Sequence, residues 1–114
     1  MNIHKVTGLT QDITSGFDSY ESAIYDAGFG ERITIETKLS AAPTTGATYK
    51  IHGSVSGDNY APIKDGNGTE IILTLDAEVN IYNLAITGVK SIKLVGVTDG
   101  TGTSVLNEIY IAYN

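Results

Sequence analysis

The chain has no cysteine and no tryptophan. Without cysteine there is no disulfide framework, no thiolate metal site and no cysteine nucleophile. The usual argument for a small secreted scaffold is therefore missing, which leaves the compartment open. Cations are also scarce: 7 Lys and Arg stand against 13 Asp and Glu, for a formal net charge of −6. Arg32 is the one arginine, and the lysines are scattered. A nucleic-acid binder needs clustered Lys and Arg to neutralise phosphates, so no nucleic acid is expected as a partner. Attraction to an anionic membrane is disfavoured on the same grounds. No apolar run approaches the roughly 20 residues of a membrane span. The opening Met1-Asn2-Ile3-His4-Lys5-Val6-Thr7 lacks the basic-then-apolar order of a signal peptide. Met1 reads as the initiator of a free-standing gene product. No membrane partner is expected.

The 114 residues suffice for one domain. A chain of this size buries roughly two thirds of its unfolded surface, so it can fold without staples. The second half reads as successive strands: Tyr49–Ser56, Tyr60–Lys64, Glu70–Leu75, Val79–Ile86, Ser91–Thr98 and Val105–Tyr113. Each closes on Gly, Asn or Asp. Short β-rich runs at near-regular spacing predict an antiparallel β-sandwich, jelly-roll-like, with about eight strands. Upstream, Glu31–Leu39 alternates cleanly, with Ile33 and Ile35 on one face and Thr34, Glu36 and Lys38 on the other. Tyr20–Ala27 is read as a strand, because a lone helix this short is marginal. The core is assigned to Ile33, Ile35, Leu39, Ile51, Val55, Ile63, Ile71, Leu73, Leu75, Leu84, Ile86, Ile92, Leu94, Val97, Leu106, Ile109 and Ile111.

Residues 1–20 carry Thr, Ser, Gly and Gln around isolated apolar side chains and read as an extended N-terminal arm with at most a short strand. Residues 21–114 form the sandwich domain. Residues 40–47, centred on Pro43, form a loop by composition, since Pro cannot donate to a central ladder.

Little in the chain carries chemistry. His52 alternates with Ile51 and reads as a solvent-facing strand residue; neither it nor His4 has further ligands at zinc spacing. Asp65-Gly66-Asn67-Gly68-Thr69-Glu70 resembles a calcium loop only superficially: Glu70 stands sixth, where Gly is required, and Asp76 twelfth, where Glu is required. The Asn67-Gly68 pair instead predicts a hairpin with a type I′ turn. Gly96–Thr103 has no Lys and no following helix, so it is a hairpin tip rather than a phosphate loop. No nucleophile is placed beside a base. Neither a cofactor nor a catalytic residue is expected, and the chain is not read as an enzyme. Tyrosine is the remaining signal, with 7 copies. It is large, stiff and amphipathic, and suits an interface or a sugar-binding face. Tyr60, Tyr82 and Tyr110 are the candidates for such a face.

The run Tyr49-Lys50-Ile51-His52-Gly53-Ser54-Val55-Ser56-Gly57-Asp58-Asn59-Tyr60-Ala61-Pro62-Ile63 resembles a pattern in small structural proteins of tailed bacteriophages, which decorate capsids or belong to the tail and neck, with the capsid decoration or cement type the leading match. A strand ending in Gly-Ser enters an Asp/Gly/Asn turn, followed by an aromatic and an apolar pair. Ile81-Tyr82-Asn83-Leu84, Gly88–Leu94 and Ile109–Tyr113 are similar too, so the resemblance spans residues 48–113. Discoidin-like and carbohydrate-binding sandwiches share such strand and turn patterns. The resemblance implies a virion structural protein, made in the host cytoplasm and carried on the capsid surface. Its partner would be the major capsid protein, and its copies would meet as a homotrimer. The resemblance carries over no functional residue and does not reach the N-terminal arm; the arm and the Pro43 loop are the candidate contacts with capsid or neighbouring subunit, through Ile3, His4, Val6, Leu9, Ile13, Phe17 and Pro43. In that reading a chain lacking residues 2–16 folds but no longer attaches. The alternative is a carbohydrate-binding module using Tyr60, Tyr82 and Tyr110.

Overall fold

The computed structural model describes residues 2–6, 11–14, 25–26, 32–85 and 89–113, with the backbone alone at Asn2, His4, Val6, Tyr25 and Asp26. Among these residues there are ten strands and no helix: β1 (Asn2–Val6), β2 (Gln11–Asp12), β3 (Tyr25–Asp26), β4 (Ile33–Leu39), β5 (Ala47–Ser54), β6 (Ala61–Pro62), β7 (Ile72–Leu75), β8 (Val79–Leu84), β9 (Ser91–Thr98) and β10 (Val105–Tyr113). The first sheet runs β1-β10-β4-β8, with β2 also on β10; the second runs β3-β9-β5-β6, with β7 also on β5. Every pairing is antiparallel.

The order of pairing defines the topology. β5 pairs with β7, β4 with β8, β3 with β9 and β1 with β10. These are four nested pairs of one long hairpin. The hairpin is rolled so that β10 also meets β4 and β9 also meets β5. Eight strands in two such sheets are a jelly-roll β-sandwich; the two-residue strands β2 and β6 are additions to it.

Alternation builds the core. β4 buries Ile33, Ile35, Thr37 and Leu39, and β5 faces it with Ala47, Tyr49 and Ile51. Leu73, Leu75, Ile92, Leu94, Leu106, Ile109 and Ile111 complete the layer. Each buried Ile or Leu contributes about 1.5–3 kcal/mol relative to exposure. Leu106 and Ile109 both point inward although three residues apart. The pairing register with β4 shifts between Leu106 and Glu108, so Asn107 is the extra residue of a β-bulge that resets the alternation.

Several expectations need correction. Val55 is 75% exposed rather than buried, because β5 ends at Ser54 and the chain has already turned. Val97 faces outward on β9 and is half-buried, while Ile63, Ile71 and Leu84 pack at the core margin. Ile86 lies outside the described residues. Asn67-Gly68 does not form a type I′ turn, which needs positive φ at both central positions. Only Gly68 has it, at 81°. Gly68 N–H donates to Asp65 C=O at 3.0 Å, and Asp65 N–H donates to Thr69 C=O at 2.8 Å. This is a type I turn closed by a left-handed glycine. Asp65 Oδ1 accepts from the amides of Asn67 and Thr69, so the carboxylate serves the turn. Nor is Gly96–Thr103 a hairpin tip: β9 and β10 lie in different sheets, so this segment crosses between them.

The N-terminal segment is woven into the sheet. β1 pairs along its length with β10, from Asn2 opposite Tyr113 to Val6 opposite Ile109. Ile13 has 0% exposure and its backbone bonds Ser104 and Gly100. Pro43 is buried too. Its loop is tied to residues 99–105 by Thr44 N–H to Thr101 C=O, Thr101 N–H to Thr45 C=O and Ser104 Oγ to Ala41 C=O. Gly100 makes this closure possible, since a Cβ there would stand 2.5 Å from Thr45 C=O.

Candidate functional site

The outward face of the first sheet is built from four adjacent strands in fixed register. Ile3 on β1 lies beside Ala112 on β10, which faces Thr34 on β4, which faces Asn83 on β8. The next row reads Lys5, Tyr110, Glu36 and Ile81. These side chains point outward because their strand neighbours Ile33, Ile35, Ile109 and Ile111 are committed to the core. Ile3, Thr34, Glu36, Ile81, Tyr110 and Ala112 line a shallow, mainly apolar depression of about 320 Å³. Ile3 is 68% exposed, Ile81 58% and Val79 47%. Three β-branched side chains are thus exposed on this one face.

The polar groups around this depression are mostly engaged with one another. Lys5 Nζ lies 3.8 Å from Glu108 Oε1 and 5.5 Å from the centre of the Tyr110 ring. Tyr110 Oη donates to Glu108 Oε2 at 3.3 Å. Lys38 pairs with Glu78 at 3.8 Å, and Thr34 Oγ1 donates to Asn83 Oδ1 at 2.6 Å. Glu36 is different. Between Tyr110 and Ile81, it makes no hydrogen bond or ion pair among the described residues. The depression therefore offers apolar walls and one unneutralised carboxylate, which complement a segment carrying apolar side chains and a cation.

The outward face of the second sheet has another character. Lys50, His52 and Lys93 share it, with His52 directly opposite Lys93. Lys50 forms an ion pair with Glu70, and this hydrogen bond holds the Glu70 carboxyl below its ordinary range. Lys93 Nζ stands 4.8 Å over the Tyr60 ring. At the closed end, Asp12 is held low by hydrogen bonds from the Thr14 hydroxyl and amide. Among the described residues no group of three His, Asp or Glu side chains is placed to hold a metal.

Of the candidate contacts, only Ile3 is placed on the exposed face. His4 and Val6 lie on β1 with their side chains undescribed, and Leu9 and Phe17 lie outside the described residues. Ile13 and Pro43 are buried and serve the fold instead of a surface. The three candidate tyrosines do not converge. Tyr110 is on the first sheet, Tyr60 is on the second with Lys93, and Tyr82 spans the open side between them. Tyr82 Oη accepts from Thr74 N–H at 2.8 Å and donates to Thr74 C=O. Sequence reasoning placed Glu36 and Ala112 on outward faces without giving them a role, and missed Ile81 and Val79. The signal was parity: with Leu84 assigned inward, Val79 and Ile81 had to point outward.

No protein-family profile matches the chain, and no curated protein matches it. Solved structures do. The chain is similar to a protein of the Triatoma virus empty capsid, at 9% identity and a TM-score of 0.57, covering 99% of this chain and 87% of that one. It is similar to the carbohydrate-binding module CBM36 in complex with calcium and xylotriose, at 15% identity and TM-score 0.54, covering 100% of both. It is also similar to the C-terminal CBM6 of a laminarinase from Zobellia galactanivorans, at 12% identity and TM-score 0.54, covering 97% of this chain and 99% of that one. At these identities the likeness establishes the β-sandwich fold alone.

Proposed function

We propose that the chain is a virion structural protein, a decoration or cement protein that attaches to the major capsid protein through the outward face of its first sheet. The observation that carries this reading is the apolar depression between Ile3 and Ile81, with the unneutralised Glu36 in its floor. A surface of this kind suits a protein partner, because it gains by excluding water from aliphatic side chains and by pairing one buried charge. The N-terminal segment still takes part, though as strand β1 presenting Ile3 rather than as a free arm. Copies gathered as a trimer on the shell would multiply a shallow contact into firm attachment. The protein would act by complementarity, without catalysis or cofactor, at the capsid surface.

The carbohydrate-binding reading shares the fold, and the similar structures favour neither reading over the other. The dispersal of Tyr60, Tyr82 and Tyr110 favours the first, because a sugar platform needs aromatic rings on one face. Two experiments separate them. Wild-type chain should co-sediment with virus particles, while Ile3→Lys, on an exposed site, should keep its fold and lose most of that attachment. Titration with xylotriose, followed by amide NMR shifts, should leave the spectrum unchanged. Saturable shifts around Tyr60 or Tyr110, with no attachment to particles, would move the sugar reading to the front.

A further inference from the structure

An edge strand displays unpaired N–H and C=O groups, and proteins normally guard such edges with charge, proline, brevity or a cap. Among the edges whose side chains are described, three are guarded. β1 carries Lys5 outward. β6 contains Pro62, and β7 has both backbone groups of Thr74 taken by Tyr82 Oη. β8 is not guarded. Its sequence, Val79-Asn80-Ile81-Tyr82-Asn83-Leu84, has no charge and no proline. Its only strand partner among the described residues is β4.

The register states which groups are open. Leu39 N–H donates to Glu78 C=O at 2.7 Å, so residues 78, 80, 82 and 84 turn their backbone groups toward β4. Val79, Ile81 and Asn83 turn theirs to the open side, and all three are exposed. These positions are symmetric about Ile81. In an antiparallel pairing with a second copy, Ile81 meets the partner's Ile81 and Val79 meets the partner's Asn83. Each is a hydrogen-bonded pair, and no donor or acceptor is left over. A two-fold interface must be self-complementary in this way.

We infer that β8 is a self-association edge: two copies pair antiparallel through Val79–Asn83 about a two-fold axis at Ile81, joining their first sheets into one. Side chains agree with the backbone. Ile81 packs against the partner's Ile81 on the outward face, so the two apolar depressions become one strip. Electrostatics do not oppose it. Glu36 stands three strand spacings from the partner's Glu36, roughly 14 Å at about 4.8 Å per strand, beyond the ~8–10 Å over which salt screens. The contact is small, so the dimer is weak and concentration-dependent. It uses a different symmetry operator from a trimer on a shell, and neither requires the other.

The test exploits the absence of native cysteine. In a hydrogen-bonded antiparallel pair the Cα atoms lie about 5.5 Å apart, inside the roughly 4.4–6.8 Å span of a disulfide. Under mild oxidation without virus particles, Ile81→Cys should form covalent dimers several-fold faster than Val55→Cys, an exposed control away from the edge. Light scattering of the wild-type chain should rise from 12.1 kDa toward twice that mass with concentration. Ile81→Lys should keep the wild-type circular dichroism and melting curve and lose this rise. Equal cross-linking of the two cysteine variants, a constant single-chain mass, or an oligomer untouched by Ile81→Lys would overturn the inference. Because Ile81 also lines the proposed contact face, particle attachment is read instead from Ile3→Lys, which lies away from the β8 edge.

Discussion

At the scale of the residue, the chain separates inward from outward more sharply than its composition suggests. Ile13 shows what this costs to ignore. Surrounded by Thr and Ser in the sequence, it looks like part of a loose arm, yet its side chain is fully buried and its backbone bonds Gly100 and Ser104, about 90 residues away. Nothing local announces this, because the partners Gly100 and Ser104 are brought there only by the closed fold. Ile13→Ala is predicted to cost about 2–5 kcal/mol, the range for deleting a buried aliphatic side chain. Thermal unfolding should show it as a fall in Tm of roughly 10 °C or more. A change of only a degree or two would mean that Ile13 is not a core residue. By the same logic, removing residues 2–16 takes away β1 and a core side chain, so it is a poor test of attachment. Tyr49 was equally illegible. As a tyrosine it suggested a surface, whereas its place on β5 between Ala47 and Ile51 sends it inward.

At the scale of the element, the longer strands were legible and the short ones were not. β9 and β10 occupy the residues expected of them, Ser91–Thr98 and Val105–Tyr113, because strong alternation runs between clear Gly and Asp breaks. β4 matches within two residues. β6 is only Ala61–Pro62, although Ile63 N–H still donates to Ile51 C=O at 2.8 Å, so hydrogen bonding to β5 outlasts the strand by one residue. Tyr82 acts between elements. From the edge of the first sheet, its hydroxyl serves both backbone groups of Thr74 at the edge of the second. Tyr82→Phe leaves that pair unsatisfied in a half-buried place, and is predicted to destabilise by about 1–3 kcal/mol. Hydrogen exchange at Thr74 should accelerate in that variant, ahead of the amides of β5. Unchanged protection at Thr74 would show that the hydroxyl does not close this side.

At the scale of the whole molecule, strand count and class were readable, but nesting was not. Alternation tells which side of a strand is buried; it does not tell which strand lies beside it. β1 exists because β10 pairs with it from the far end of the chain, Asn2 opposite Tyr113. The candidate face inherits this. Ile3 and Ile81 lie 78 positions apart in sequence and meet over one depression only because β10 and β4 stand between them. The rolled hairpin thus gathers distant aliphatic side chains onto an outward face, beside a carboxylate that has no counterion among the described residues. The proposed function takes a protein surface as the complement of this face. The most direct measurement is immunogold labelling, with antibody to this chain, of virus particles purified from the culture that carries its gene. Gold distributed over the capsid surface is predicted. Unlabelled particles, with the chain recovered only in the particle-free fraction, would contradict the account.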